Sequence, residues 1–355
     1  MKRYSFLISA ILFLNHIVAG QDYLAPSSSP PGGLKPEQVP LFVTIGWDDN
    51  SHAGFSYPQI EGQSIYWVRT FSKPLKNPAG IGNEKTYDGT SARFSFFNNS
   101  IYVADGTMGD YVQQVKLAWN FCHREGHEIG NHTHSHITSQ NGPSYSVAQW
   151  ESEMKTCNDW LIKQAPPDSD TTNIELGNKD EGAGIPAEEI RGFRTPYLYY
   201  NDNTFSALEN MGFVYDCSIE DGYQDTMDGT NYLWPYTLDH GSPGHDYLKE
   251  SGILNDKMQH VTITAHPGLW EMPVHPVIVP HDEVCSDYGI QPGLRAKIKA
   301  MFSWFDTTDG KITGLDFNLW NGIRLNKDEV LATLKYTLDL RLKGNRAPFL
   351  FGAHS

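Results

Sequence analysis

The chain has 355 residues, of which 39% are hydrophobic and 19% charged, with a formal net charge of −15. That length and apolar content suit a folded protein with a sizeable core and exclude a disordered chain. The acidic balance, with no clustered run of Lys and Arg, argues against nucleic acid as a partner, because phosphate neutralisation needs such a cluster.

The N-terminus opens on Lys2 and Arg3, followed by an apolar run from Phe6 to Leu14 and small residues at Ala19 and Gly20. This pattern predicts a secretory leader over residues 1–20. The run is too short for a membrane span, which needs about 20 apolar residues. The mature chain is therefore expected to be secreted (extracellular, or periplasmic in a Gram-negative cell), with no integral membrane segment. Residues 21–40 contain "SSSPPGG" and read as a linker, leaving 41–355 as one domain.

Within that domain, Leu41–Ile45, residues 92–97 ("ARFSFF") and residues 127–132 ("HEIGNH") read as strands. A helix is expected over 110–124, with Tyr111, Val115, Ala118 and Cys122 on one face. A second begins near Ser146, where Ser146 and Gln149 form a capping box, and carries the stripe Val147, Trp150, Met154, Cys157 and Leu161. Further strands are expected at 189–194, 213–218, 260–265 and 348–353. Between them lie a short helix over 203–210, closed by Gly212, and a helix starting at Asn326 and stopping at Gly344. Residues 72–90 and 220–258 read as long loops walling a cleft. Strands alternating with helices predict an α/β fold on a parallel sheet, with a barrel as the expected closure. Cys122, Cys157, Cys217 and Cys285 are an even number in an exported chain. They allow two disulfides or none.

Chemistry concentrates after the strands, where such folds place their sites. "GNHTHSH" puts His132, His134 and His136 within five residues, and either a turn or an extended segment offers two imidazoles on one side. A catalytic zinc site needs three protein ligands. Two adjacent acids, Asp48 and Asp49, end a buried strand, where they are costly unless paired or bound to a metal. The zincin protease pattern fails, since no Glu stands between the histidines. An amidohydrolase barrel places its His pair on the first strand, whereas here the acids come first. The 12% aromatic content is a mild pointer to a sugar ligand.

Five segments in order, "TIGWDDN", "GHEIGNHTHSH", "RGFRTPY", "FVYDCSI" with "LWPYTLD", and "NRAPFLFGAHS", resemble the polysaccharide deacetylase family. This is carbohydrate esterase family four, with the NodB homology domain, and the chain resembles its animal and insect chitin deacetylase branch. The resemblance implies a distorted (β/α) barrel with long loops around the cleft. It also implies hydrolysis of N-acetyl groups on chitin or chitooligosaccharides. Asp49, His132 and His136 match the metal ligands, with zinc the expected ion and cobalt a substitute. Asp48 matches the general base, Arg194 its partner, His354 the general acid and Asp216 the acid that orients this histidine. Pro196 and Tyr197 match the substrate-binding turn, and Trp234 and Trp270 are expected as groove walls. His134 is expected to point away from the metal. Trp47 and Asn50 depart from the usual first motif. Another acetylated polysaccharide, such as xylan or peptidoglycan, or a non-catalytic carbohydrate-binding protein, are the alternatives.

Overall fold

The computed structural model describes residues 24–51, 68–72, 74–80, 89–104, 111–137, 141–167, 180–254 and 258–354. The leader expected at 1–20, and residues 73 and 81–88 of the loop expected over 72–90, lie outside them. From the N-terminal side, β1 (Val43–Asp48), β2 (Ser95–Asn98) and α1 (Ile101–Ala104) lead into α2 (Val112–Arg124), β3 (Glu128–Asn131) and α3 (Val147–Ile162). They are followed by β4 (Gly192–Phe193), α4 (Asp202–Met211), β5 (Tyr215–Asp216), β6 (Tyr236–Thr237), α5 (Pro243–Glu250) and β7 (Trp270–Glu271). The remainder comprises β8 (Val277–Ile278), α6 (Leu294–Met301), β9 (Lys311–Ile312), α7 (Lys327–Lys343) and β10 (Phe349–His354).

Eight strands form one sheet in the order β10-β1-β2-β3-β4-β5-β7-β6; β8 and β9 pair separately. Every neighbouring pair in the large sheet is parallel except β6 with β7. The sheet curls into a half-barrel, the distorted (β/α) form that the family resemblance implies and in line with the barrel expected from strand–helix alternation. Parallel strands align their C-terminal ends. Asp48 stands in register with His354 on one side and Phe97 on the other. Asn98, Asn131, Phe193, Asp216 and Glu271 form the adjoining row. One rim of the sheet therefore collects the polar residues.

The helices form where their apolar faces meet that sheet. In α3, Trp150, Met154, Cys157 and Leu161 are fully buried, each contributing about 1.5–3 kcal/mol of transfer free energy if large and apolar. Its N-terminus is closed by the expected box, with Gln149 N–H donating to Ser146 Oγ and Ser146 N–H donating to Gln149 Oε1. Gly212 ends α4 at φ 76°, a conformation costly to a residue with a Cβ. A second core, including Val279, Ile298, Phe305 and Leu319, lies beneath α6 and α7.

Three expectations are corrected. Residues 261–266 form no strand, although "HVTITA" alternates. Thr264 N–H is drawn instead to the Asp202 carboxylate at 2.7 Å, so its amide leaves the sheet direction. The stretch 220–258 is not a plain loop, since it contains β6 and α5. The segment read as a linker is tied down: Leu24 exchanges hydrogen bonds with Thr237, Asn345 Nδ2 donates to Ser28 O, and Val39 is buried beside Trp234. The four cysteines are all buried free thiols. Cys157 Sγ donates to Asn98 O, and burial pushes its thiol up to about 12. Asn98 and Asn131, both in N-x-S/T sequons, are fully buried, which closes them to glycan attachment in the folded chain.

Candidate active site

β1 delivers the two acids. Successive strand residues face opposite sides, and Asp49 breaks that alternation by leaving the strand at φ 56°. Asn50, one of the two departures from the family pattern, holds this turn: its Nδ2 donates to Trp47 O and to Asn98 Oδ1, and its carbonyl accepts from Trp119 Nε1. Asn99 Nδ2 donates to Asp49 Oδ1 at 2.6 Å.

The histidines come from the turn after β3. His132 N–H donates to Asn98 O and so continues the ladder one residue past the strand. Thr133 then turns at φ 68° and His136 at φ 49°. Side chains pin these reversals. Asn131 Oδ1 accepts from Thr133 N–H, while Glu153 on α3 accepts from the amides of His134 and Ser135 and from Ser135 Oγ. His136 Nε2 lies 3.3 Å and His132 Nε2 3.8 Å from Asp49 Oδ1. One ligand atom from each of Asp49, His132 and His136 falls within 4.8 Å of the other two. His134 turns away to Ser100 Oγ.

The donor set fits a divalent ion. Ligands about 2.0–2.1 Å from a tetrahedral zinc lie ~3.3 Å apart, the spacing found for His136 and slightly exceeded by His132. His132 Nδ1–H donates to Arg194 O at 2.7 Å, so its Nε2 lone pair is the one facing Asp49. Burial, followed by the neighbouring His132, holds His136 below the ordinary imidazole range and favours the neutral ligand form.

Asp48 faces Arg194 across the sheet, with NH1 donating to Asp48 Oδ1 at 2.9 Å. Both side chains are buried. Burial is the largest influence and works against the Arg194 charge, but Asp48 and Cys217 together outweigh it and the guanidinium is raised above its usual range. The guanidinium stacks 4.5 Å over Phe97, and Gly46 is required beneath it: a Cβ there would lie 2.8 Å from NH2.

His354 closes the opposite side, at the end of β10. Its expected partner is corrected. Asp216 accepts from Ser218 N–H and Ser218 Oγ–H, and Ser218 Oγ accepts in turn from Thr195 N–H. Asp316 instead takes His354: Nδ1–H donates to Oδ1 and the backbone N–H donates to Oδ2, each at 2.8 Å. That bond raises the His354 imidazole above its ordinary value, against burial. Asp316 is the functional residue that sequence reasoning missed. It stands alone in "TGLDFN", without a neighbouring motif, and reaches the site because Leu315 bridges to Gly352.

The remaining residues divide. Pro196 is buried, while Tyr197 is 57% exposed and packs on His136 with ring centroids 4.9 Å apart. Tyr197 and Leu198, at φ 57° and 55°, make the turn that edges a cavity of about 280 Å³. Trp234 is corrected: it is a core residue, packed with Tyr232, Ile278 and Ala347, and its indole N–H donates to Asn345 O. Trp270 is half-buried in register with Tyr215 and Thr237, one residue short of the row carrying Asn131 and Asp216.

Residues 91–215 match the family model for polysaccharide deacetylase. Over that stretch the chain is similar to polysaccharide deacetylases. The matched stretch holds His132, His136 and Arg194, while Asp48, Asp49, Asp316 and His354 lie outside it. Chitin deacetylase 8 of Bombyx mori is 24% identical over 335 residues, covering 94% of this chain and 65% of that protein. Chitin deacetylase 1 of Bombyx mori is 24% identical over 245 residues, covering 68% and 34%. The chain thus spans less than two thirds of the length of either curated relative. Among solved structures, a family 4 carbohydrate esterase from Streptomyces lividans, in complex with acetate, aligns over 50% of this chain and 61% of its own. The sequence identity is 16% and the TM-score 0.27.

Proposed function

We propose that the domain hydrolyses N-acetyl groups of chitin or chitooligosaccharides, releasing acetate, with a divalent ion on Asp49, His132 and His136. The observation that carries this reading is the pair of groups flanking the triad. Asp48 is paired to Arg194, His354 is paired to Asp316, and the two lie in register on adjacent strands. Two imidazoles and one carboxylate are a donor set zinc favours, with cobalt a fair substitute.

A divalent ion held there would polarise the acetyl carbonyl and make the attacking water more acidic. Asp48, oriented by Arg194 through Oδ1, takes a proton from that water at its other carboxylate oxygen. The backbone N–H of Tyr197 is suited to the developing oxyanion. The turn's own hydrogen bonds use the amides of Leu198 and Tyr199, and Pro196 has none to offer. His354, with Nδ1–H committed to Asp316, presents Nε2–H to the departing nitrogen. The amide C–N bond then breaks to leave an amine and acetate.

The names of the curated relatives support chitin as the substrate. Secretion is part of the same proposal and rests on the leader pattern. Among the described residues no helix is long and apolar enough to cross a membrane. The test is acetate release from N-acetylglucosamine oligomers by the full chain, before and after chelation and with zinc restored. Chelator-sensitive release supports the reading. No release with zinc present, alongside retained sugar binding, would convert the domain into a carbohydrate-binding protein. Release from acetylated xylan or peptidoglycan alone would reassign the substrate.

A further inference from the structure

The cleft beside Tyr197 does not end at the triad. Its cavity shares Glu220, Thr313 and Asn318 with a second cavity of about 780 Å³. Residues assigned above to the metal, base or acid do not line this second space. Its wall carries Phe302 and Trp304, and Trp304 is 62% exposed with its flat ring unspent on the core.

The charge of the second cavity is one-sided. Asp225, Asp306 and Asp309 line it, with Glu220 at the junction. Hydrogen bonds from Thr308 hold Asp306 below the usual carboxylate range. Lys311 is the only basic residue among the described residues of the lining, and it is committed: Nζ donates to Gln224 O at 2.7 Å and lies 3.7 Å from Asp309. Aromatic faces match the C–H face of a sugar ring, and they also attract a cation. Carboxylates accept hydroxyl and ammonium protons alike, but an excess of them selects for positive charge.

We propose that this second cavity is a remote subsite for an already deacetylated, ammonium-bearing unit of the same polysaccharide chain. The proposal rests on the deacetylase reading, because that reaction turns a neutral amide into an amine that takes up a proton. A chain deacetylated once then carries the charge that the cavity complements, and the two cavities meet at Glu220, Thr313 and Asn318, with Tyr197, packed on His136, edging the first. Partly deacetylated chains thus become better ligands than fully acetylated ones.

Calorimetry on the zinc-loaded full chain carrying Asp48→Asn, which should not turn over, tests this with two tetrasaccharides, one of glucosamine and one of N-acetylglucosamine. At mildly acidic pH the glucosamine tetramer should bind at least tenfold tighter, and raised salt should erode that preference. Trp304→Ala should weaken glucosamine binding about tenfold. Asp225→Asn, an exposed and conservative change, should weaken it severalfold while circular dichroism stays unchanged. Equal affinity for the two sugars, or glucosamine binding indifferent to both variants, would overturn the proposal. Failure of the deacetylase reading appears separately, as absence of acetate release by the unmodified chain.

Discussion

Asp316→Asn separates two accounts of the acid side. The Asn carbonyl can still accept from His354 Nδ1–H, so orientation is largely kept while the charge is lost. Hydrogen bonds to charged groups contribute about 1.5–3 kcal/mol. Because imidazolium forms where the leaving nitrogen is protonated, losing that contribution should cut kcat/KM by roughly 10- to 100-fold. The direction on pH follows from the bond that raises His354. A raised imidazole stays protonated to higher pH, so activity needing His354 as an acid persists further on the alkaline side. Without Asp316 the alkaline limb should move to lower pH. The assay is acetate release from an N-acetylglucosamine tetramer across pH, for Asp316→Asn beside Asp216→Asn. An unmoved alkaline limb in Asp316→Asn, or a larger displacement in Asp216→Asn, would refute the assignment and restore Asp216 as the partner.

Asp48→Asn should reduce turnover by about 10²–10⁴-fold while bound zinc, measured by metal analysis after dialysis, is retained; loss of the metal would mean the two acids are reversed. Arg194→Ala leaves Asp48 as a buried unpaired charge and should cost about 3–5 kcal/mol in urea unfolding. Asn131→Ala unpins Thr133 and should weaken zinc binding roughly 10- to 100-fold without removing a ligand, as read by competition with a chelating dye. Burial pushes the Asp221 carboxyl up to about 6, against hydrogen bonds from Gln224 and Gly222. The folded state therefore holds this proton after the unfolded state has lost it, and the group's contribution to stability falls as pH rises from about 4 to about 6. Asp221→Asn does not titrate, so its stability relative to the native chain should climb over that window by up to roughly 3 kcal/mol. A flat difference would count against it.

Much of this was legible in sequence because it was local. Strand ends, the Ser146 and Asn326 caps, the α3 stripe and the crowded histidines each lie within a few residues, where period and capping rules apply. What failed was long-range. Asp316 meets His354 across 38 residues, and no spacing rule links an isolated acid in "TGLDFN" to a strand end. Asp216 is the partner that the family resemblance of "FVYDCSI" implies, and the structure does not bring it to His354. The structure spends it on Ser218, and through Ser218 on Thr195, the residue before the Pro196 turn. Trp234 shows the converse error. A Trp near a motif suggests a groove, yet its indole N–H has a buried carbonyl to satisfy, and the ring fills a gap between the N-terminal segment and α7.

The backbone of the site explains why so many polar residues surround it. Among the described residues seven non-glycine positions have positive φ, and five of them, Asp49, Thr133, His136, Tyr197 and Leu198, belong to the triad's turns or the adjoining cleft. Such conformations cost about 1–3 kcal/mol each, which a domain of ordinary stability cannot absorb uncompensated. The offset comes from side chains that have no direct chemistry to perform. Asn50 and Asn99 brace the acid turn, Asn131 and Glu153 brace the histidine turn, and Ser218 braces the Pro196 turn. Each supplies a hydrogen bond that a relaxed backbone would not need. The strain places two imidazoles and a carboxylate from two strand ends around one point before any ion arrives, so the ordering cost falls on folding rather than on binding. Residues flanking a motif, more than the motif letters themselves, therefore decide whether this site is formed or merely spelled.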